Sequence, residues 1–421
     1  MRKVFFALWL CLVFLAGLNP AAMGAGGEIA GIENVSSGLA SLNAQMADSG
    51  LEFGFGVTNV YLQNVRGGLS KHNKAGRFAG SYDLELTADL QKLFGADGGI
   101  IYVHTEGRWS KTDYDGKSVG SVFGVNGDYG GRRSMDVVEL WYEGRALDGS
   151  LVFRAGKMDL TGGFECHGCP VSFDGSAFAN DESAQFLNSA LVNNPTIPFP
   201  DYALAVSMFY NPSDTWYVSA AAADAQNDAR ETGFRTTFHD EDYFFYVFEA
   251  GITPEFSSQN GPLQGAYRVG LWFDPQPKAN SDGSKNYRDD TGVYLSFDQM
   301  VSKENSNPED GQGLGVFFRY GYASSKRNDV TNFVSAGLQY QGLFEGRDDD
   351  VLGFGFAHGS MSDSADTTYT DDHEYAAELY YNAQITDCVS VSPLIQYIAN
   401  PGAVDGVSDA VILGIRTQIT F

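Results

Sequence analysis

Positive charge is scarce in this 421-residue sequence, which has 27 Lys and Arg against 53 Asp and Glu and a net charge of −26. Proteins that bind nucleic acid neutralise phosphates with a basic surface, so the composition argues against nucleic-acid partners. A pore that selects phosphate would also need clustered Lys and Arg. The acidic residues are therefore expected on exposed loops and on part of a water-facing interior.

Long apolar runs are missing after the first two dozen residues, and charged residues make up only 19% of the chain. That share is low for a soluble domain, where about 25% is usual. No later stretch approaches the roughly 20 apolar residues that a membrane-spanning helix needs. An exported chain without such helices is either soluble outside the inner membrane or a β-barrel.

Cysteine is rare, with four residues, and Cys11 lies in the N-terminal apolar run. Cys166 and Cys169 form a Cys-His-Gly-Cys unit, which in an exported protein favours a structural disulfide. A redox motif or half of a zinc site is the alternative, but no second Cys or His pair has the spacing to complete a zinc site. We predict no metal, and we interpret Cys388 as a buried or turn thiol.

Histidine is also rare, and none of the six His suggests a Ser-His or Cys-His pair by position. Glycine-rich stretches such as 353–355 do not precede helices, so a phosphate cradle is not expected. We therefore predict no catalytic residue, no cofactor and no enzymatic activity. A barrel hydrolase and a purely structural barrel are the alternatives from other functional classes.

The N-terminus has the pattern of a secretory signal peptide. Arg2 and Lys3 precede an apolar run from Val4 to Leu18, and small residues follow at 21–25. The alternative, a single anchoring helix, would need a longer run. The predicted division is a signal peptide at 1–24, an N-terminal periplasmic segment with a short amphipathic helix at 25–50, and the main domain at 51–421.

Period-two alternation of apolar and polar residues dominates the main domain and continues to the terminal aromatic residue, Phe421. Its segments are long for a soluble sandwich. We therefore predict an all-β fold, a transmembrane antiparallel β-barrel of 16 strands. The predicted strands are 51–65, 78–93, 98–109, 135–146, 150–158, 203–211, 214–222, 243–256, 264–274, 291–300, 312–323, 331–341, 349–359, 374–385, 388–398 and 409–421.

The connections between these strands alternate between short and long, as expected for periplasmic turns and external loops. One long connection, 301–311, departs from this rule on the periplasmic side. The longest, residues 159–202, is the third external loop, and we predict a short helix within it from Asp181 to Val192. Loops of this length are usually functional, and we expect this one to fold into the lumen. An exposed surface loop is the alternative.

The strand faces opposite the apolar ones are predicted to line an aqueous channel. On 137–146, Val138, Leu140, Tyr142 and Ala146 are assigned to one face, and the charged residues with a Trp to the other. Aromatic rings stack on sugars, and Arg and carboxylates hydrogen-bond hydroxyls. The predicted channel-lining or substrate residues are Glu139, Trp141, Glu143, Arg145, Arg154, Glu249, Arg268 and Trp272. For each residue, the alternative is plain solvation of the lumen.

The chain resembles the carbohydrate-selective porin family of outer-membrane channels. The similar stretches run in order from about residue 51 to 421, and the most specific is LIQYIANPG followed by DAVILGIR and a terminal Phe. The Cys-His-Gly-Cys unit departs from the family pattern. The resemblance implies a sixteen-stranded barrel in the outer membrane of a Gram-negative-type bacterium.

This resemblance implies passive diffusion of mono- and small oligosaccharides. The expected partners are small sugars and outer-membrane lipid, together with two further copies of the chain in a homotrimer. The alternative function is a general, weakly cation-selective diffusion porin, which the acidic excess favours.

Overall fold

The alternating segments form long strands in the computed structural model, which describes residue 38 and residues 41–95, 99–110, 112–129, 131–161, 172–226, 243–279, 285–307, 310–364 and 369–421. The strands are β1 (Leu51–Arg66), β2 (Phe78–Asp89), β3 (Gly99–Trp109), β4 (Arg132–Ala146), β5 (Leu151–Met158), β6 (Ala203–Ser213), β7 (Trp216–Asp224), β8 (Phe244–Ile252), β9 (Glu255–Ser258), β10 (Gly261–Asp274), β11 (Lys278–Ala279), β12 (Asn286–Tyr287), β13 (Asp290–Lys303), β14 (Gly313–Ala323), β15 (Val330–Gln341), β16 (Val351–Met361), β17 (His373–Thr386), β18 (Val389–Ala399) and β19 (Ala410–Thr420).

Sixteen of these strands close into one antiparallel barrel, which confirms the predicted fold and strand count. Closure comes from β1 and β19, which pair from Gly56 with Thr420 to Arg66 with Val411. The short β9 pairs only with the start of β10, and β11 and β12 form a separate two-stranded ribbon. A closed barrel leaves no unpaired sheet edge, which is what a strand-based membrane protein requires.

The helical segments lie outside the strands. They are α1 (41–48), α2 (Leu90–Phe94) and α3 (Ser189–Val192), with a π-turn at Asp115–Val119 and 3-10 turns at Leu147–Gly149 and Pro401–Ala403. Asp89 begins α2 by accepting hydrogen bonds from the N–H groups of Gln91 and Lys92, and left-handed Gly95 ends it. Among the described residues, no helix is long and apolar enough to cross a membrane.

The helix predicted at Asp181–Val192 is mostly wrong, because only Ser189–Val192 is helical. Asp181 does accept hydrogen bonds from the N–H groups of Ser183 and Ala184, as an N-cap residue does. The segment that follows instead forms turns held by the barrel wall, so tertiary contacts replace the helical hydrogen bonds.

The N-terminal segment ends in α1, which packs against the start of the barrel. Asn43 forms two hydrogen bonds of 2.8 Å with the backbone N–H and carbonyl of Phe53 in β1. Lys92 of α2 donates to the carbonyl of Ala47 at 2.9 Å. The helix is therefore attached to the same end of the barrel as the β2–β3 turn.

Large apolar side chains cover the outer surface of the barrel. The most exposed on the strands include Met135, Leu140, Val206, Met208, Phe248, Ile252, Val269, Leu271 and Phe354. On β14 the alternation is clear, since Phe317 and Arg319 are buried while Val316 and Phe318 on the opposite face are partly exposed. An apolar outer band and a polar interior are what a barrel in lipid needs.

The sequence assignment of Val138 to the outer face is wrong. Val138 is fully buried, whereas Val137 is 46% exposed. The pairing of β3 with β4 shifts here, from His104 opposite Glu139 to Thr105 opposite Val137. The extra residue of this β-bulge moves Val138 to the inner face, and the alternation of Glu139 to Arg145 is unaffected.

Aromatic rings lie over cross-strand glycines at several places in the barrel. A Cβ added at Gly270 would lie 1.9 Å from the ring of Tyr294, and Gly251 and Gly353 have the same relation to Tyr217 and Tyr380. Tyr294 is directly opposite Gly270 in the β10–β13 register. These glycines and aromatic residues form matched pairs, in which only a residue without a side chain leaves room for the ring.

Candidate functional site: the barrel lumen

One anchor of the third loop (159–202) on the barrel wall is Glu249 of β8. One carboxylate oxygen accepts hydrogen bonds from the backbone N–H of Asp174 at 3.0 Å and the Tyr294 hydroxyl at 2.8 Å. The other accepts from the Tyr217 hydroxyl at 2.6 Å. Because all these groups are buried, Glu249 acts as a fixed anchor for the loop.

A second anchor lies on β10 and β13. Asp298 accepts from the Ser176 hydroxyl at 2.6 Å and the N–H of Ala177 at 3.3 Å. The guanidinium of Arg268 bridges the Asp298 carboxylate, at 2.9 Å, and the carbonyl of Gly175, at 2.8 Å. Arg268 thus hydrogen-bonds both to the third loop and to the barrel wall.

Two fully buried arginines hold the loop by its carbonyls. Arg319 of β14 donates to the carbonyl of Leu191 at 2.7 Å. Arg416 of β19 donates to the carbonyls of Glu182 at 2.7 Å and Gln185 at 2.8 Å. The described part of the third loop therefore lies against the inner faces of strands from β8 to β19.

The second loop (110–131, between β3 and β4) also enters this interior, which the sequence reasoning missed. The N–H of Gly127 donates to the carbonyl of Leu187 at 2.7 Å, and the N–H of Ser189 donates to the carbonyl of Gly124 at 3.3 Å. A buried apolar cluster joins the two loops, and its second-loop members are Tyr114, Val119, Phe123 and Val125. Apolar residues in a loop expected to be solvated were the signal that could have revealed this.

Trp141 lies in a stack of rings and charge on β3, β4 and β5. Its indole packs against Tyr102 with ring centroids 4.8 Å apart, and the Arg154 guanidinium lies 4.3 Å from the Trp141 ring centroid. The indole N–H donates to Glu139 at 3.1 Å. Trp141 is only 4% exposed, so most of its surface is already occupied by protein.

Glu143, Arg145 and Arg154 form one ion-pair group. Glu143 accepts from Arg154 at 3.0 Å on one oxygen and from Arg145 at 3.1 and 3.2 Å on the other. The side chains of Glu143 and Arg154 are buried, whereas that of Arg145 is 51% exposed. Arg145 is therefore the member of this group that is most exposed to water.

Trp272 lies beneath the third loop. Its ring stacks with Phe245 at 6.3 Å and fits over Gly292. It is 2% exposed and belongs to an apolar cluster that includes Phe173 and Ile197 of the third loop. Its indole N–H has no hydrogen-bond partner among the described residues. Trp272 therefore supports the loop from behind.

Comparison with known proteins decides the family. The sequence profile of the carbohydrate-selective porin, OprB family, matches residues 73–421. The chain belongs to this family. Porin B of Pseudomonas aeruginosa is 25% identical to the porin over 426 residues, covering 90% of the chain and 89% of Porin B. The putative porin QuiX of Acinetobacter baylyi is 22% identical, with 90% of each covered.

Solved structures agree with the fold. The high-pH structure of Pseudomonas putida OprB has a TM-score of 0.75 and 22% identity, covering 91% of the porin and 97% of that chain. OmpT of Vibrio cholerae, in a structure described as a trimer form, has a TM-score of 0.50 and 12% identity, covering 88% and 99%. The porin is an outer-membrane protein of the Gram-negative type, and its family and fold are those of a channel rather than an enzyme.

Several charged side chains that keep contact with water lie on β2, β3 and β4, which together we call the accessible wall. The side chain of Asp83 is 28% exposed and that of Glu139 is 12% exposed. Glu85 and Arg108 are partly exposed on the same wall, and Arg145 is the most exposed of this set. Of the eight predicted channel-lining residues, Glu139, Arg145 and Arg268 keep contact with water, and the other five are buried.

His104 is an inward residue that the sequence reasoning did not select. Its Nε2 lies 3.1 Å from Asp83, and its Nδ1 lies 3.6 Å from Glu139. Strand register creates this arrangement, since Glu139 is directly opposite His104 on β4. Residue spacing along the chain carries no sign of it. His104 holds two carboxylates of the accessible wall in place.

No group of three or more His, Cys, Asp or Glu among the described residues could hold a metal ion. Cys166 and Cys169, the predicted disulfide pair, lie outside the described residues, as does the predicted signal peptide at 1–24. Cys388 is a buried free thiol, as predicted.

Proposed function

We propose that the porin lets mono- and small oligosaccharides diffuse passively across the outer membrane, without a cofactor, an energy input or catalysis. One observation carries the proposal: the accessible wall presents fixed charged hydrogen-bonding groups of both signs, chiefly Asp83, Glu139 and Arg145. Sugar hydroxyls donate and accept hydrogen bonds, so such a wall can replace part of their hydration. Because Trp141 and Trp272 are covered, hydrogen bonding rather than ring stacking supports the proposal.

The sugar preference is tested by liposome swelling with purified porin, comparing glucose, a disaccharide and an amino acid of similar size to glucose. We expect glucose to enter clearly faster than the amino acid, and the disaccharide to enter more slowly than glucose. Liposomes with heat-denatured porin are the control for leakage. Entry ordered by size alone would contradict sugar preference, and no swelling would contradict an open channel.

A second candidate function is a general, weakly cation-selective pore. The partly exposed charges favour it, since the acidic residues outnumber the basic ones near the accessible wall. The acidic residues are Asp83, Glu85, Glu139 and Asp181, and the basic residues are Arg108, Arg145 and Arg268. The reversal potential in a KCl gradient tests this function, and a value near zero would count against it.

The proposal includes a homotrimer and an N-terminal periplasmic segment at 25–50 that remains after removal of residues 1–24. The trimer is supported by the form in which OmpT of Vibrio cholerae was solved. Light scattering of the porin in detergent, corrected for bound detergent, measures the assembly, and a monomer mass would contradict the trimer. Intact-mass spectrometry of porin purified from outer membranes locates the cleavage site.

A further inference from the structure

The second and third loops meet at one point on the barrel wall, formed by Glu378 of β17 and Gln396 of β18. Glu378 accepts from the backbone N–H groups of Leu187 at 2.9 Å and Asn188 at 2.7 Å, both in the third loop. Gln396 donates to Glu378 at 3.0 Å and to the carbonyl of Val125, in the second loop, at 2.9 Å.

The Asn188 side chain completes this joint. It donates to the Gln396 carbonyl oxygen at 3.2 Å, so that Glu378, Gln396 and Asn188 form a closed triangle of hydrogen bonds. All three side chains are at most 1% exposed. A buried carboxylate that accepts several N–H bonds is held strongly, and cutting one bond leaves a buried polar group unsatisfied.

Glu374, four residues before Glu378 on the same inward face of β17, forms a second joint. Its carboxylate accepts from the N–H of Val122 at 2.9 Å and from that of Gly402 at 2.6 Å, and also from the Ser121 hydroxyl. The second loop is thus held at two points of the inner wall, by Glu374 of β17 and by Gln396 of β18. Glu374 is itself fully buried.

The second and third loops also contact each other directly. Besides the two backbone hydrogen bonds that join them, a Cβ at Gly127 would lie 3.3 Å from the Cβ of Glu182. The shared apolar cluster brings Val119 and Val125 of the second loop together with Leu187 and Leu191 of the third. A common core and common anchors couple the positions of the two loops to each other.

We propose that the second and third loops form one constriction unit, and that Glu378, Gln396 and Glu374 are positioning residues that set the width of the channel without touching the solute. In this unit, the second loop affects the width of the channel by fixing the position of the third loop. This inference rests on the proposed channel function, but it does not depend on which solute the channel prefers.

The main test uses Glu378→Gln, which keeps the shape of the side chain but replaces one acceptor by a donor. The matched control is Asp350→Asn, because Asp350 is also buried and accepts from Arg347, Tyr381 and the N–H of Gln384, at a turn without either loop. We expect Glu378→Gln to raise single-channel conductance and to raise the disaccharide-to-glucose swelling ratio at least twofold, while the control leaves both unchanged.

Folding of each variant is checked by the shift of the barrel band on unheated gels. If a folded Glu378→Gln barrel has the conductance and swelling ratio of Asp350→Asn, the inference is overturned. If wild-type porin shows no sugar preference but Glu378→Gln still raises conductance, the sugar proposal fails and the constriction unit stands.

A cross-link gives an independent measurement on a chain whose anchors are intact. In a background carrying Cys166→Ser, Cys169→Ser and Cys388→Ser, the substitutions Gly127→Cys and Glu182→Cys should form a disulfide, since linked Cβ atoms lie about 3.5–4.5 Å apart. We expect oxidised and reduced porin to have the same conductance, because the loops already move together. Failure to form the disulfide, or a change in conductance on oxidation, would overturn the inference.

Discussion

Single glycines allow an aromatic ring of one strand to pack directly on the backbone of the neighbouring strand. Gly270 is the clearest case, because the Tyr294 ring occupies the space that a Cβ would need, and the Tyr294 hydroxyl in turn bonds Glu249. Gly270→Ala must therefore displace the ring and weaken the anchor of the third loop. We expect a loss of about 1–3 kcal/mol in the free energy of unfolding, the usual cost of overpacking.

Urea titration of the folded porin in detergent, followed by gel mobility, measures this loss. The control is Gly56→Ala, since the nearest atom to its new Cβ would be Asp83 Cβ at an ordinary 3.8 Å. Equal unfolding midpoints for the two variants would show that the Tyr294 ring is free to move aside.

The charge of Glu139 acts directly on the accessible wall. A unit charge about 7 Å from a passing ion in a water-like medium is worth about 0.6 kcal/mol, or about a threefold change in local concentration. Removing the charge lowers the local cation concentration and raises the local anion concentration by that factor, so Glu139→Gln should lower the cation-to-anion permeability ratio by up to about eightfold, measured from the reversal potential. Asp349→Asn, an exposed turn residue, is the control, and an equal ratio for both variants would exclude Glu139 from the conducting path.

At the scale of the element, one face of each strand contacts lipid and has to be apolar, whereas the other face contacts the loops and the lumen. Leu271 of β10 is 54% exposed on the outer face, opposite Phe248 of β8. Arg near the middle of a lipid-facing strand costs about 2–4 kcal/mol. We expect Leu271→Arg to lower the stability of porin folded into lipid vesicles by that amount, as measured by urea unfolding.

The same strand provides the control for this prediction. Gln264 lies near the other end of β10 and is exposed. Gln264→Arg should change the unfolding midpoint little, because the end of the strand is close to water. Similar losses for the two variants would contradict the assignment of Leu271 to the lipid face.

The strands themselves could be predicted from the sequence, whereas the loops could not. All sixteen barrel strands lie within a few residues of their predicted ranges, because period-two alternation is a local property of each segment. The bulge at Val138 and the turns at 181–188 depend on partners far away in the chain. Local patterns contain no information about those partners.

At the scale of the whole molecule, we expect the stability of the folded second and third loops to depend on pH. Burial raises the pKa of Asp115 to about 8 and the pKa values of Asp128 and Asp174 to about 7, although Ser121, Arg108 and Arg319 respectively oppose the rise. The folded loops thus bind protons more tightly than an unfolded chain, whose Asp pKa is near 3.8. Their stability should be greatest in acid and should fall as the pH rises from about 4 to about 8.

Hydrogen exchange of loop amides, corrected for the intrinsic effect of pH, measures this change. We expect the opening free energy of the 112–129 and 172–197 segments to be lower at pH 8 than at pH 5, and amides of β14 to serve as the internal control. Asp174→Asn should make the difference smaller. An opening free energy that rises with pH would contradict the assignment of these carboxyls as buried acids.

The sequence alone determined the class of protein, the number of strands, the family and the faces of the strand residues that were assigned from it, apart from Val138. Those properties follow from alternation along short segments and from composition, which need no knowledge of long-range contacts. The tertiary structure decided which inward side chains meet water. Trp141, Trp272 and Glu249 lie on the predicted face but are buried, because two loops fold back onto the wall and bond to it through backbone groups that any sequence contains.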